Sequence, residues 1–247
     1  MQFGYHQDLF DRFPSLVAGV AFVVGVENST SDEAVSAMLA AQERAILESY
    51  EPSTLSTHPH LASWRAAYSA FGTKPARYNC AVELLLRRVL KDGKVHGINK
   101  IVDICNYVSM KHVLPVAALD VDRIQGPVEV RFSTGGERFL PIYAAEAESS
   151  EPGEVIYTDD LEALSRRWNW RQCDKAKITE TTSRVLFTTE GINQVARPAV
   201  EETLEELVRL VQQHCGGEAF QFVLDKDHQV ARVTPPAADG SRIRCSD

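Results

Sequence analysis

Within residues 166–177, Arg166, Arg167, Arg171, Lys175 and Lys177 bring five positive charges together, opposed in that segment only by Asp174. Trp168 and Trp170, two of the chain's three tryptophans, lie between them. Guanidinium forks bind phosphate bidentately, and indole faces stack on bases. In a chain of net charge −8, with 34 acidic residues against 26 basic ones, this segment is the natural place to receive the end of a single-stranded RNA. A second reading fits the same residues. Along a strand, Arg167, Asn169 and Arg171 share one face while Trp168 and Trp170 share the other, so the alternation also describes indoles anchored in a core.

A second constellation lies in INKIVDICNYVSMK, where Asn99, Asp103 and Asn106 follow helical spacing. A polar stripe beside an apolar face marks a hydrogen-bonding network, a solvated face or the wall of a site. The reading preferred here is structural: Asn99 caps the helix, while Asp103 and Asn106 pin neighbouring backbone from inside a buried network.

Familiar catalytic signatures are missing: the chain has no GxSxG, Walker loop, HExxH or strand-borne GxGxxG. His58 and His60 are the only close histidine pair and have no carboxylate or thiolate nearby in sequence, so neither a metal nor any other cofactor is expected. The five cysteines are odd in number and form no CxxC pair, which fits free thiols in a reducing cytoplasm. None has a histidine or base at nucleophile spacing. The longest apolar run, residues 18–26, is strand-sized, and the acidic N-terminus lacks a secretory pattern, so a soluble protein is expected.

These groups must be positioned by the rest of the chain. A buried strand is expected over 18–28, followed by a helix to about Tyr50 that opens on a Thr30–Glu33 capping box. Apolar periodicity predicts further helices over about 59–71, 79–91, 99–111 and 198–215. Between 113 and 190, short β-like runs punctuated by Gly and Pro suggest one strongly curved sheet. EAFQFVL and QVARV read as a closing hairpin. The result is an α/β (α+β) fold, a single mixed-sheet domain over 1–233 flanked by helices, with 234–247 as a loose tail.

The stretch INKIVDICNYVSMKHVLPVAALDVDRIQGPVEVR resembles the B3/B4 editing domain of the phenylalanyl-tRNA synthetase β chain, and the likeness extends over roughly residues 97 to 182. With KPARYNCAVELLLRRVL before it and RRWNWRQ within it, the chain is similar to free-standing B3/B4-domain proteins. Asn99, Val102, Asp103, Asn106, Tyr107, Pro115, Asp120 and Asp122 match the family pattern. Where the family's PLHAFD carries a pocket histidine, this chain has Ala117. Where the family has GVMGGE, it has WNWRQC, so the pocket differs in size and charge.

The resemblance implies a mixed α/β fold around a cleft, binding of tRNA at its aminoacylated 3′ end, and hydrolysis of mischarged ester. Such hydrolysis needs an oriented water and donors for the developing oxyanion, and no covalent nucleophile. On this reading Glu154, Asp174 and Thr179 are the candidate catalytic residues, with Asp159 a further acceptor. Arg167, Trp168, Asn169, Trp170, Arg171, Lys177 and Thr182 are the candidate substrate and RNA contacts. The alternative is a non-catalytic RNA-binding or amino-acid-binding protein that kept the fold. Neither DNA nor membrane is expected as a partner, given the acidic balance.

Overall fold

A computed structural model describes residues 1–194, 196–234 and 244–246 of the chain. It opens with β1 (Gln2–Tyr5), α1 (Gln7–Arg12), β2 (Val17–Val24), α2 (Glu33–Ser49), α3 (Pro59–Ala70), α4 (Ala81–Asp92) and α5 (Lys100–His112). The strand-rich half follows: β3 (Val116–Asp120), β4 (Val128–Phe132), β5 (Arg138–Phe139), β6 (Glu148–Ser149), β7 (Val155–Thr158), β8 (Ala163–Arg166), β9 (Arg171–Gln172) and β10 (Arg184–Gly191). Then come α6 (Ala196–Cys215), β11 (Glu218–Leu224), β12 (Val230–Thr234) and β13 (Arg244–Ser246).

The expected single curved sheet is instead two main sheets. One has seven strands in the order β13-β12-β1-β4-β7-β8-β9, the other four in the order β11-β2-β10-β3, and β5 pairs with β6 separately. The first is mixed, because β1 runs parallel to β4 while its other pairings are antiparallel. β2, the VAGVAFVV run, lies between β10 and β11, and all but its last residue are buried. A central strand covered on both faces has no polar face to show, hence its unbroken apolar run. The closing pair is not a hairpin: β11 pairs with β2 and β12 with β1, in different sheets. Alternation marks a strand but does not name its partner.

The helices form close to where periodicity puts them, with local differences in capping. Asp32, rather than Thr30, caps α2, its carboxylate accepting from Val35 N at 3.0 Å. Asn99 caps α5 as expected, accepting from Val102 N at 3.1 Å. Gly93 ends α4 at φ 82°, a conformation that costs a glycine little. α6 packs over the four-stranded sheet at Gly19, where a Cβ would come within 3.0 to 3.2 Å of Thr189, Leu204 and Val200. β1 and α1, which the periodicity did not reveal, bring Tyr5 into the core. Of the tail from 234, Arg244–Ser246 pair with β12, and residues 235–243 and 247 lie outside those described.

Candidate functional site

The Arg/Trp segment is a tight hairpin rather than a continuous strand. β8 and β9 pair through Arg166 and Arg171, and residues 167–170 form the turn between them. Arg167 (φ 46°) and Trp168 (φ 65°) are both left-handed, a strain of about 1–3 kcal/mol for each non-glycine residue. Burial of Trp168 offsets it. The indole is fully enclosed and packs against Trp64 at 5.1 Å, Phe13 at 5.3 Å and Phe71 at 6.2 Å between ring centroids. Truncating such a side chain costs about 3–5 kcal/mol. The Trp168 backbone N–H also donates to Val155 O at 2.6 Å, and Ser165 Oγ donates to Trp168 O. The turn reverses the alternation, so Trp168 is buried while Trp170 stays half-exposed.

Four of the five basic side chains have carboxylate partners. Arg166, buried, donates to Glu154 at 2.6 and 3.2 Å and to Glu148 at 2.9 Å. Arg167, also buried, reaches Glu151 at 2.9 Å and lies 3.9 Å over the Tyr78 ring. Lys175 meets Asp159 at 2.6 Å, and Lys177 meets Asp174 at 2.8 Å. Arg171 differs: it is exposed, its guanidinium lies 4.3 Å over Trp170, and it has no carboxylate partner among the described residues. A cation kept on an indole face and left unpaired is available to a ligand anion.

Beside this hairpin opens a cleft of about 230 Å³. α5 supplies Val102, Cys105 and Asn106 to one wall, and β3 supplies Val116, Ala117 and Ala118. The hairpin contributes Trp168, Asn169, Trp170, Arg171 and Gln172. Tyr143 and Lys177 also line it. The lining is mostly apolar and holds no carboxylate and no imidazole among the described residues. Gln172 is fixed by donating to Ala118 O at 2.9 Å and Ala176 O at 3.1 Å.

Behind the cleft wall stands Glu190, 1% exposed. It accepts from Tyr157 Oη at 2.5 Å, Tyr5 Oη at 2.6 Å, Trp168 Nε1 at 2.8 Å and Asn169 Nδ2 at 3.3 Å. Tyr68 Oη donates to Asn169 Oδ1 at 2.9 Å, fixing which way that amide points. Burial pushes the Glu190 carboxyl above its ordinary range, and its four donors offset only part of that shift. Tyr157, Trp168 and Asn169 therefore each face the cleft on one side and this carboxylate on the other. Sequence reasoning missed Glu190. Its one signal was an acid at the end of the apolar strand run RVLFTTE.

The other candidates divide between scaffold and cleft. Glu154 is enclosed in its ion pair with Arg166, away from the cleft lining. Thr182 Oγ1 donates to Asp120 at 2.6 Å and is buried, while Thr179 bonds with Thr181 and Thr182. Asp174 accepts from Lys177 Nζ and, at 3.3 Å, from Tyr143 N; the Lys177 bond holds its carboxyl below the usual range. Asn99 and Asp103 are scaffold: Asn99 also donates to Ile178 O, and Asp103 accepts from Ser31 Oγ at 2.6 Å and Ile98 N at 3.0 Å. Asn106 leaves this network. It lines the cleft half-buried, and its amide has no hydrogen-bond partner among the described residues.

Burial pushes the thiols up, Cys105 strongly and Cys173 to about 11, so both are protonated at neutral pH. No group of three or more His, Cys, Asp or Glu among the described residues is placed to hold a metal ion. No helix among those residues is long and apolar enough to cross a membrane.

Sequence comparisons with known proteins point to one relationship. Phenylalanine–tRNA ligase β subunits are similar to this chain: that of Yersinia pestis is 25% identical over 173 residues, covering 61% of this chain and 22% of that protein. The Mycobacterium leprae subunit is 26% identical over 182 residues, covering 64% and 21%. The Aquifex aeolicus subunit is 32% identical over 73 residues, covering 30% and 9%. The chain spans less than a quarter of the length of these relatives. Among solved structures, an N-terminal fragment of the phenylalanyl-tRNA synthetase β subunit from Pyrococcus horikoshii aligns with a TM-score of 0.48 and 13% identity, over 94% of this chain and 55% of that one. Residues 63–216, well over half of the chain, match the family model of the B3/4 domain, and the chain belongs to the B3/4 domain family.

Proposed function

We propose that the cleft receives the aminoacylated 3′ end of a tRNA and hydrolyses its ester, releasing a wrongly attached amino acid. The carrying observation is Arg171: an unpaired guanidinium stacked on Trp170 at an apolar cleft, in a protein where the neighbouring bases are neutralised. The phosphate of the RNA end is its partner, and the amino-acid side chain takes the apolar floor at Ala117 and Ala118. Membership of the B3/4 family supports the reading, as does similarity to subunits of phenylalanine–tRNA ligases.

The reaction is attack of a water oxygen on the ester carbonyl carbon, followed by cleavage of the bond to the ribose oxygen. The water's proton passes to that departing oxygen, and the terminal ribose's neighbouring hydroxyl relays it. The Asn106 and Asn169 amides supply donors for the developing oxyanion from the cleft wall. Glu154, Asp174 and Thr179 carry no chemical step in this proposal. Glu154 and Asp174 hold basic partners, while Thr179 belongs to a hydroxyl cluster.

The absence of carboxylate and imidazole from the described lining favours a second reading, in which the cleft binds the same end without cleaving it. A panel of tRNAs, each esterified with one amino acid, separates the two. Release of free amino acid above the spontaneous rate supports hydrolysis, whereas protection of the ester supports binding alone. Neither effect on any member of the panel would refute both readings.

A further inference from the structure

We infer that Tyr143 is a stacking platform for the terminal base of a single-stranded RNA end, an inference that rests on the function proposed above. Tyr143 is 82% exposed, among the few large hydrophobic side chains left in solvent, and it lines the cleft. Its backbone is left-handed at φ 63°, a strain that a tyrosine adopts only when its surroundings impose it. Here they do. The neighbouring Ile142 N–H donates to Gln172 O at 3.3 Å, and Ala144 N donates to Pro141 O at 3.0 Å. The Tyr143 N–H donates to Asp174 Oδ1 at 3.3 Å. The same Asp174 oxygen accepts from Lys177, whose ammonium lies 5.6 Å from the centroid of the Tyr143 ring.

Inside the protein the ring keeps the Lys177 ammonium beside it and gains almost no burial. Ordinary folding buries an aromatic ring or leaves it on relaxed backbone; this one is held strained and in water. One carboxylate fixes both the aromatic plane and a cation beside it, and the site suits a nucleotide: the ring stacks on the base, and the unpaired Arg171 on the same cleft takes the phosphate. Exposure of the rest of the ring leaves room for a second plane. A free amino acid, held deeper against Ala117 and Ala118, needs neither feature.

The test uses the full chain and two fluorescein-labelled single-stranded oligoribonucleotides, identical except that one ends in adenosine and the other in an abasic ribose. The wild-type protein binds the adenosine-ended strand more tightly, by at least about fivefold, the lower end of what one base–aromatic stack supplies. Tyr143→Ala erases that preference and Tyr143→Phe keeps it. A Tyr143→Ala protein that still prefers the adenosine end overturns the platform and leaves the proposed function standing. A wild-type protein that binds both strands equally overturns the platform in the same way. A wild-type protein that binds neither strand, nor the esterified tRNAs, overturns both.

Discussion

The indole Nε1 of Trp168 donates to Glu190 Oε1 over 2.8 Å, so one wall of the cleft hangs on a carboxylate that solvent does not reach. Tyr5, from the first strand, and Tyr157, from the seventh, close on the same oxygen. Three distant stretches of sequence thus meet at one buried carboxyl group, and the left-handed turn at Arg167–Trp168 is what brings the indole there.

Glu190→Ala will unfold more easily than wild type by at least about 3 kcal/mol, because it leaves the three buried donors Tyr5, Tyr157 and Trp168 unpaired at about 1–3 kcal/mol each. Equilibrium denaturation measures this. A loss under about 1 kcal/mol would mean that solvent reaches the network and that the carboxylate is not the anchor described.

Asn106→Ala will leave the thermal midpoint nearly unchanged while weakening ligand binding or hydrolysis by about tenfold, the usual scale for one lost hydrogen bond to a charged or developing charge. The free amide at the cleft wall motivates this. A melting temperature lowered by several degrees with unaltered binding would return Asn106 to the scaffold alongside Asn99 and Asp103.

Asp159 supplies a pH signature. Burial opposes its charge, but Lys175 at 2.6 Å and the backbone N–H groups of Gln125, Leu161 and Glu162 outweigh that, so its folded pKa falls below the ordinary 3.8. A depressed carboxylate stabilises the fold above its unfolded pKa, and that contribution disappears as pH falls through the folded value. Asp159→Asn will therefore be less stable than wild type at neutral pH, and the gap will narrow below about pH 4. A gap of constant size down to pH 2 would contradict the assignment.

Arg171→Ala will flatten the salt dependence of tRNA binding. Each phosphate contacted on a single-stranded end contributes a slope of about −0.7 in log K against log salt, so losing one contact removes up to about that amount. Arg166→Ala, by contrast, will destabilise the fold, because it removes both short hydrogen bonds to the buried Glu154 and leaves it only the longer Arg167 contact at 3.5 Å. Equal salt slopes for wild type and Arg171→Ala would place the phosphate elsewhere.

Much of this architecture was legible as sequence. Helical periodicity located α3 and α5, and the Asn99 cap followed from residue type and position alone. The division into two sheets was not legible, since β-like runs such as VAALD and VEVRF carry no mark of which neighbour they join. Within the site, the charge and indole content of 166–177 pointed to a segment that lines the cleft but gave its geometry incorrectly. Two consecutive left-handed residues without glycine have no compositional signal, and that turn decides which tryptophan is buried. Glu190 was hidden for a related reason: its partners lie at 5, 157, 168 and 169, and only folding shows that they converge. Tyr143 was equally silent, because exposure and backbone strain are properties of the fold.

Whether this cleft hydrolyses an aminoacyl ester on tRNA is decided by comparing wild type with Ala117→Trp on whichever esterified tRNA the wild type cleaves fastest. Ala117 lines the cleft in a half-buried position, and an indole there occupies much of the 230 Å³. Single-turnover release of the amino acid should fall by at least about tenfold, the rate equivalent of about 1.4 kcal/mol in the barrier, with the fold intact by circular dichroism. Cleavage by the folded Ala117→Trp protein at the wild-type rate would mean that the ester is hydrolysed somewhere other than this cleft.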